Sequence, residues 1–165
     1  MLTTASTIYL GIGSNLGDRH ATIEEAVRQL VSRCVLEAPL LSSVYETEAV
    51  SETPQPPYLN AVLRGATGLG AEVVLERCLA VEAACGRTRP PGLAKAPRTL
   101  DVDLLLYGDH VMRTRALEVP HPALLDRSFV LVPLAEVATA GLVHPLTGVR
   151  LDVARPSSSV RRFWR

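Results

Sequence analysis

An α+β sandwich with a mostly antiparallel sheet is the fold class this chain predicts, on three observations. Segments with a period of two and segments of helical period follow one another as strand, helix, strand, strand, helix, strand. No internal repeat or low-complexity tract interrupts that order. The 165 residues, 47% hydrophobic and 21% charged, are the length and composition of one globular domain, 1–165, that buries a core without disulfides.

Thr7 to Ile12 reads as the first strand, ended by the turn-rich Gly13-Ser14-Asn15-Leu16-Gly17-Asp18. A helix follows, N-capped by Asp18, with Ile23, Ala26, Val27, Leu30, Val31 and Cys34 on one face. Val35 to Val50 holds a strand with Val44 and Tyr45 near its end; Ser51 to Pro57 is a Pro-rich connection, and Tyr58 to Gly65 is the antiparallel partner. The second helix covers residues 71–85, with Val74, Cys78, Val81 and Cys85 on one face and Gly86 as its stop. Residues 87–98 (RTRPPGLAKAPR) carry three prolines, one glycine, four cations and no acid, so a mobile basic loop is expected there. Leu100 to Tyr107 alternates, with Leu100, Val102, Leu104 and Leu106 on one face and Asp101, Asp103, Leu105 and Tyr107 on the other. Beyond Ala116 come Val119-Pro120-His121-Pro122, a short helical stretch, Phe129 to Ala138, and a tail over about 150–165. This is the element order of a ferredoxin-like αβ sandwich with long loops.

The 17 basic and 17 acidic side chains cancel, so no whole-surface attraction draws nucleic acid or anionic lipid to the chain. Anion binding must come from local clusters, and Lys95 is the one lysine among 16 arginines, whose planar forks suit phosphate. The apolar run from Phe129 to Ala135 is far short of the ~20 residues of a membrane helix. The N-terminus lacks a basic n-region, and Cys34, Cys78 and Cys85 lack metal-ligand spacing and fall on helical apolar stripes. A cytoplasmic protein with reduced core cysteines is expected.

Asp101-Val102-Asp103 is the most informative local feature. Residues two apart on a strand point to the same face about 7 Å apart, so these carboxylates can hold a hard cation such as Mg²⁺ between them. The pair alone also fits a solvated strand face; its place directly after Arg98, at the end of a loop with Arg87, Arg89 and Lys95, favours phosphoryl transfer.

With these residues in view, the chain resembles the 6-hydroxymethyl-7,8-dihydropterin pyrophosphokinases of folate biosynthesis. The resembling motifs are Ile12-Gly-Ser-Asn-Leu-Gly-Asp-Arg19, Tyr45-Glu-Thr47, Tyr58-Leu-Asn60, Pro97-Arg-Thr-Leu-Asp-Val-Asp103, and Pro120-His-Pro continuing to Arg127-Ser-Phe129 and Pro133-Leu134. They stand in family order over about residues 7–147. The resemblance implies transfer of the pyrophosphoryl group of ATP to the pterin hydroxymethyl oxygen, with release of AMP and with two Mg²⁺ ions on Asp101 and Asp103. It implies catalytic or phosphate-side roles for Asp103, Arg98, Arg87, Arg89 and His121, with Asp103 accepting or orienting the hydroxyl proton. ATP is expected against Glu82, Arg87, Arg98, His121 and Arg127. The pterin is expected between the rings of Tyr58 and Phe129, read by the Asn60 amide and by backbone around Thr47, Glu48 and Val50. On composition alone, Phe129 is a core residue and His121 part of a rigid Pro-His-Pro surface turn. His20, His110 and His144 match nothing catalytic.

Departures from the family accompany the matches. Lys95-Ala96 replaces a common Trp-Gly pair, Leu79 stands where a Gln often helps bind ATP, and Glu48-Ala49-Val50 replaces a proline-rich run. Activity with altered loop dynamics or affinity is the expectation. The partners implied are the two small-molecule substrates, with no nucleic acid, no membrane and a monomeric state. Two rival classes are a regulatory ligand-binding module, which needs no paired Asp101 and Asp103, and a nucleic-acid binder using the basic loop and Arg161-Arg162-Phe163-Trp164-Arg165.

Overall fold

The structure is a computed structural model that describes residues 5–51, 54–88, 96–155 and 157–164. Its centre is β1 (Ser6–Ser14), which runs antiparallel to β4 (Tyr58–Thr67) on one side and β5 (Asp101–Tyr107) on the other. Two shorter strands, β2 (Glu37–Leu41) and β3 (Val44–Thr47), both pair with β4, so the sheet order is β5-β1-β4-β3 with β2 beside β4. With β2 and β3 taken as halves of one strand, this is the ferredoxin-like order, and every pairing is antiparallel.

Two helices cover one face, α1 (Arg19–Ser32) and α2 (Ala71–Ala84), burying Ile23, Leu30, Val74, Cys78 and Val81 against Ile8, Leu10, Ile12 and Leu63. Asp18 caps α1 by accepting from Ala21 N at 3.1 Å. Burial pushes the Cys78 thiol up to about 12, so it is an inert core residue. The opposite face is covered by a third helix, α3 (Ser128–Val137), whose Val130, Leu131, Leu134 and Val137 pack on Tyr9, Val62, Leu105 and Leu106. The molecule therefore has three layers, one more than the sandwich expected. Among the described residues no helix is long and apolar enough to cross a membrane.

Four local differences have physical causes. The single strand expected in 35–50 breaks at Ser42-Ser43: the Ser42 hydroxyl accepts from Val62 N at 2.9 Å, and Ser43 N donates to Glu136 Oε2 at 2.8 Å. Ser42 N still donates to Val62 O at 2.9 Å, while side chains take the returning bond from Val62 and the N–H of Ser43. Cys34 does not lie on the stripe of α1; it is exposed at φ 53°, where Cys34 N bonds Val31 O and Val35 N bonds Leu30 O, both at 2.9 Å. That is the double bond of a Schellman stop, made without the usual glycine. At the end of α2 the same stop has its expected glycine, Gly86 at φ 79°. In β5 the alternation fails after Leu104, because Leu10 pairs with Leu104 and Tyr9 with Leu106. Leu105 is the extra residue of a bulge, so Leu105 and Leu106 both face α3. Finally, the tail contains a strand, β8 (Arg161–Trp164), that pairs with β3. A small ribbon, β6 (Met112–Arg113) with β7 (Glu118–Val119), completes the elements.

Candidate active site

On the α3 face of β1 the inward positions run Tyr9, Gly11, Gly13. The two glycines leave bare backbone where a side chain would fill the space. Gly13 lies in register between Asn60 of β4 and Asp101 of β5, and Gly11 lies opposite Asp103. Two strand spacings separate Asn60 from Asp101, roughly 10 Å. A Cβ on residue 13 would sit 3.2 Å from Asn60 Oδ1 and 3.7 Å from Tyr58 Cδ1. The strand ends thereby form the floor of a chamber of about 290 Å³. Its walls include Thr47, Glu48, Val50, Tyr58, Asn60 and Phe129, which are the six residues expected on the pterin side. Asn60 Nδ2 donates to Thr47 Oγ1 at 2.8 Å, so one donor of that amide is already used within the protein.

A second, larger chamber of about 770 Å³ opens on the other side of the carboxylates. Glu82, Arg87, Arg98, His121 and Arg127, the five positions expected around ATP, all line it. Arg98, Asp101, Asp103 and Arg127 line both chambers and form their common wall. Arg89 and Lys95 lie outside the described residues. The ends of the basic stretch are held: the α2 stop aims Arg87 back so that its N bonds Glu82 O at 3.0 Å and its Nη1 meets Glu82 Oε1 at 2.6 Å. The same Nη1 reaches Asp101 Oδ1, while Arg98 Nη1 lies 3.2 Å from Asp101 Oδ2. Two of the four cations of that stretch are therefore paired with carboxylates. Glu82 is buried and also accepts from Val102 N at 2.8 Å, which ties α2 to β5 beside the aspartates.

The two aspartates differ. Asp101 is gripped by arginines, whereas Asp103 has His121 Nε2 at 3.8 Å and Arg127 Nη1 at 3.7 Å, both beyond hydrogen-bond reach. Burial, and next the charge of Asp101, push the Asp103 carboxyl above its ordinary value. Burial lowers the pKa of His121 against the pull of Asp103. Its Nδ1 accepts from Ala123 N at 3.1 Å, so the neutral ring carries its proton on Nε2, the nitrogen facing Asp103. The backbone of His121 is anchored by the bulge, its N donating to the unpaired Leu105 O at 2.9 Å. Among the described residues no three His, Cys, Asp or Glu side chains form a ready metal cluster. Two adjacent carboxylates facing open chambers fit Mg²⁺, which keeps water and substrate phosphate in the rest of its shell.

Residues 55 and 126 also line the smaller chamber, and Asn15 and Arg19 brace it. Sequence reasoning assigned none of these. The signal for Gly11 and Gly13 was available, as glycines two apart on the strand face that carries Tyr9. His144, which matches nothing catalytic and is expected to be surface or structural, is buried with Nδ1 accepting from Leu146 N at 3.3 Å.

The family model described as 7,8-dihydro-6-hydroxymethylpterin-pyrophosphokinase (HPPK) matches residues 9–139. A 2-amino-4-hydroxy-6-hydroxymethyldihydropteridine pyrophosphokinase of Aquifex aeolicus is 37% identical over 158 residues, 96% of each chain. One so named from Bacillus subtilis is 38% identical over 129 residues, 78% of this chain and 76% of its own. A solved HPPK-DHPS in complex with substrates shares the fold, with a TM-score of 0.64 and 12% identity over 90% of this chain and 42% of that one. By its sequence over most of its length, this chain belongs to the 7,8-dihydro-6-hydroxymethylpterin-pyrophosphokinase family.

Proposed function

We propose that the smaller chamber binds 6-hydroxymethyl-7,8-dihydropterin, that the larger one binds ATP, and that the pyrophosphoryl group passes across their common wall. The hydroxymethyl oxygen bonds to the β-phosphorus, the bond from that phosphorus to the α-phosphate oxygen breaks, and AMP leaves. The observation that carries this reading is the shared wall: Arg98, Asp101, Asp103 and Arg127 touch both chambers, as an in-line transfer between two bound reactants requires.

In this reading, Tyr58 and Phe129 enclose the flat ring, and Asn60 Oδ1 accepts from its polar edge while Thr47 holds Nδ2. Backbone around Thr47, Glu48 and Val50 completes the contacts. Glu82 fixes Arg87, and Arg87 with Arg98 positions Asp101. His121 Nε2, Arg98, Arg127 and Arg89 donate to phosphate oxygens. Asp103, the less neutralised carboxylate and the one with a raised pKa, orients the hydroxyl or receives its proton. Two Mg²⁺ ions held by Asp101 and Asp103 supply the charge neutralisation that phosphoryl transfer needs. The whole chain, 1–165, acts as one cytoplasmic domain and as a monomer, which sedimentation checks. Arg161 and Arg162 are engaged with Glu46 and Glu136, which weighs against a nucleic-acid tail.

The test is incubation with ATP, Mg²⁺ and the reduced hydroxymethylpterin, scored for AMP. Production of ADP in its place would mean single-phosphoryl transfer and overturn the reading.

A further inference from the structure

The end of β3 builds one wall of the smaller chamber: Thr47 Oγ1 accepts from Asn60, and Glu48 and Val50 follow it around the rim. Yet β3 is four residues long, and only Tyr45, Glu46 and Thr47 are in register with β4. On its other edge lies β8, with Val44 opposite Trp164, Tyr45 opposite Arg162 and Glu46 opposite Arg161. So short a pairing is marginal by itself, and a third strand secures it. Side chains fasten β8 on two sides. Toward α3, Arg162 Nη2 donates to Glu136 Oε1 and to the Tyr45 hydroxyl, each at 3.2 Å. Toward α1, the Trp164 ring meets His20 edge-on with ring centres 4.9 Å apart, and the Arg19 guanidinium lies 5.9 Å from the centre of the Phe163 ring. Between these, Glu46 is held at both oxygens: Oε1 accepts from Arg161 Nη2 at 2.6 Å, and Oε2 from Arg19 Nη2 at 2.9 Å. Arg19 Nη1 donates in turn to Pro57 O at 2.7 Å. Residues 54–57 are irregular backbone, so side-chain donors, and not a strand ladder, set where the chain enters Tyr58.

We propose that β8 is a clasp for the smaller chamber and that Arg161 is a positioning residue, acting through Glu46 and Arg19 on the Pro57 carbonyl and so on the ring of Tyr58. The proposal rests on the assignment of that chamber to the pterin. With Arg161 on Oε1, the Glu46 carboxylate keeps Oε2 turned to Arg19, and the planar Arg19 fork then aims its other nitrogen at Pro57. Without Arg161, both carboxylate oxygens are open to Arg19, and a fork that turns to take them leaves Pro57 O. None of the described residues lining the larger chamber belongs to β3 or β8, so the clasp acts on one ligand. The Arg161 side chain is 79% exposed, and an ion pair in that setting adds little to global stability, which separates a part in binding from a part in folding.

Calorimetry on the full chain tests this. The reduced hydroxymethylpterin is titrated into protein saturated with Mg²⁺ and α,β-methylene-ATP, whose α–β bridge resists cleavage, and the analogue is titrated separately. Arg161→Glu sets a like charge against Glu46. It should raise the pterin Kd about fivefold, or ~1 kcal/mol, with the analogue Kd within about twofold of wild type and the urea midpoint nearly unchanged. Arg161→Lys keeps a cation for Glu46 and should recover most of the affinity. If Arg161→Glu fails to fold, Arg161→Ala takes its place, with a loss of about threefold, or ~0.6 kcal/mol, in pterin affinity alone. Unchanged pterin affinity, or equal losses for both ligands, overturns the clasp and leaves the functional reading standing. A lysine variant no better than the glutamate one overturns it too, because charge at 161 would then not act through Glu46. Wild type that binds the analogue and no pterin overturns the functional reading and the clasp with it.

Discussion

The two chambers are made of different materials. The smaller is cut into the sheet itself: absent side chains at Gly11 and Gly13 make its floor, and a short neutral bond from Asn60 to Thr47 fixes its reader. The larger lies between elements and is lined by ions, with Glu82, Arg87, Asp101 and Arg98 joined in one chain of pairs. A chamber built from backbone selects by shape and edge pattern, whereas one built from charges selects by charge and adapts its geometry. On the proposed assignment, selectivity for a ring and tolerance for a triphosphate are separated within one cleft.

The sharpest break falls on the common wall. Asp103→Ala should lower turnover on the order of 10³-fold or more, as loss of several kcal/mol of transition-state stabilisation implies. Asp101→Ala should do the same, but the stabilities should part. Removing Asp103 relieves a repulsion. Removing Asp101 takes the carboxylate partner from Arg98 and leaves Arg87 with Glu82 alone, and should cost about 1–3 kcal/mol in urea denaturation. Equal stabilities of the two variants would refute the difference in their pairing.

Within the smaller chamber, Asn60→Leu should weaken pterin binding by about 10²-fold and leave ATP binding within about twofold, measured by titration of each ligand. Equal losses for both ligands would show that the chambers are not independent in composition. A milder probe is Gly13→Ala. Its Cβ would crowd Asn60 Oδ1 at 3.2 Å, so pterin affinity should fall about tenfold with the nucleotide unaffected.

The smallest effect concerns acid. Hydrogen bonds from Arg19 and then Arg161 hold the Glu46 carboxyl below its ordinary range. A lowered folded-state pKa contributes stability above the unfolded value of about 4.3 and loses it as pH falls through the lower folded value. Glu46→Gln should therefore flatten the acid limb of a stability profile without shifting ATP affinity at neutral pH. An unchanged acid limb would remove Glu46 from the bracing of the smaller chamber.

Much of this was legible in the residues. Period-two alternation placed Asp101 and Asp103 on one face, and the Tyr-Leu-Asn of β4 put Tyr58 and Asn60 two apart on the chamber side. Gly86 announced the stop of α2. The parts that were not legible depend on contacts distant in sequence. Cys34 takes a left-handed conformation because Val35 is drawn into the core beneath Leu30, and a cysteine gives no local hint of that. The strand breaks at Ser42-Ser43 because Val62 offers a partner to Ser42 and Glu136 one to Ser43, and no window around the two serines contains either. The Leu105 bulge hides inside an apolar run, Leu104-Leu105-Leu106, where every register is equally hydrophobic. The tail, read only as a basic segment that a nucleic-acid binder could use, becomes β8 because β3 leaves an open edge with Glu46 beside it.

The bulge has a consequence for how the chain tolerates change. Leu105 contributes a main-chain oxygen to His121, and any residue at 105, and any but proline at 121, brings the same two backbone atoms. Substitution can therefore vary chemistry at 121 while the loop stays moored. Loss of one residue from 104–106 is another matter: it would erase the mooring and return β5 to plain alternation, with one side chain fewer facing α3. The strand is forgiving of spelling and strict about counting.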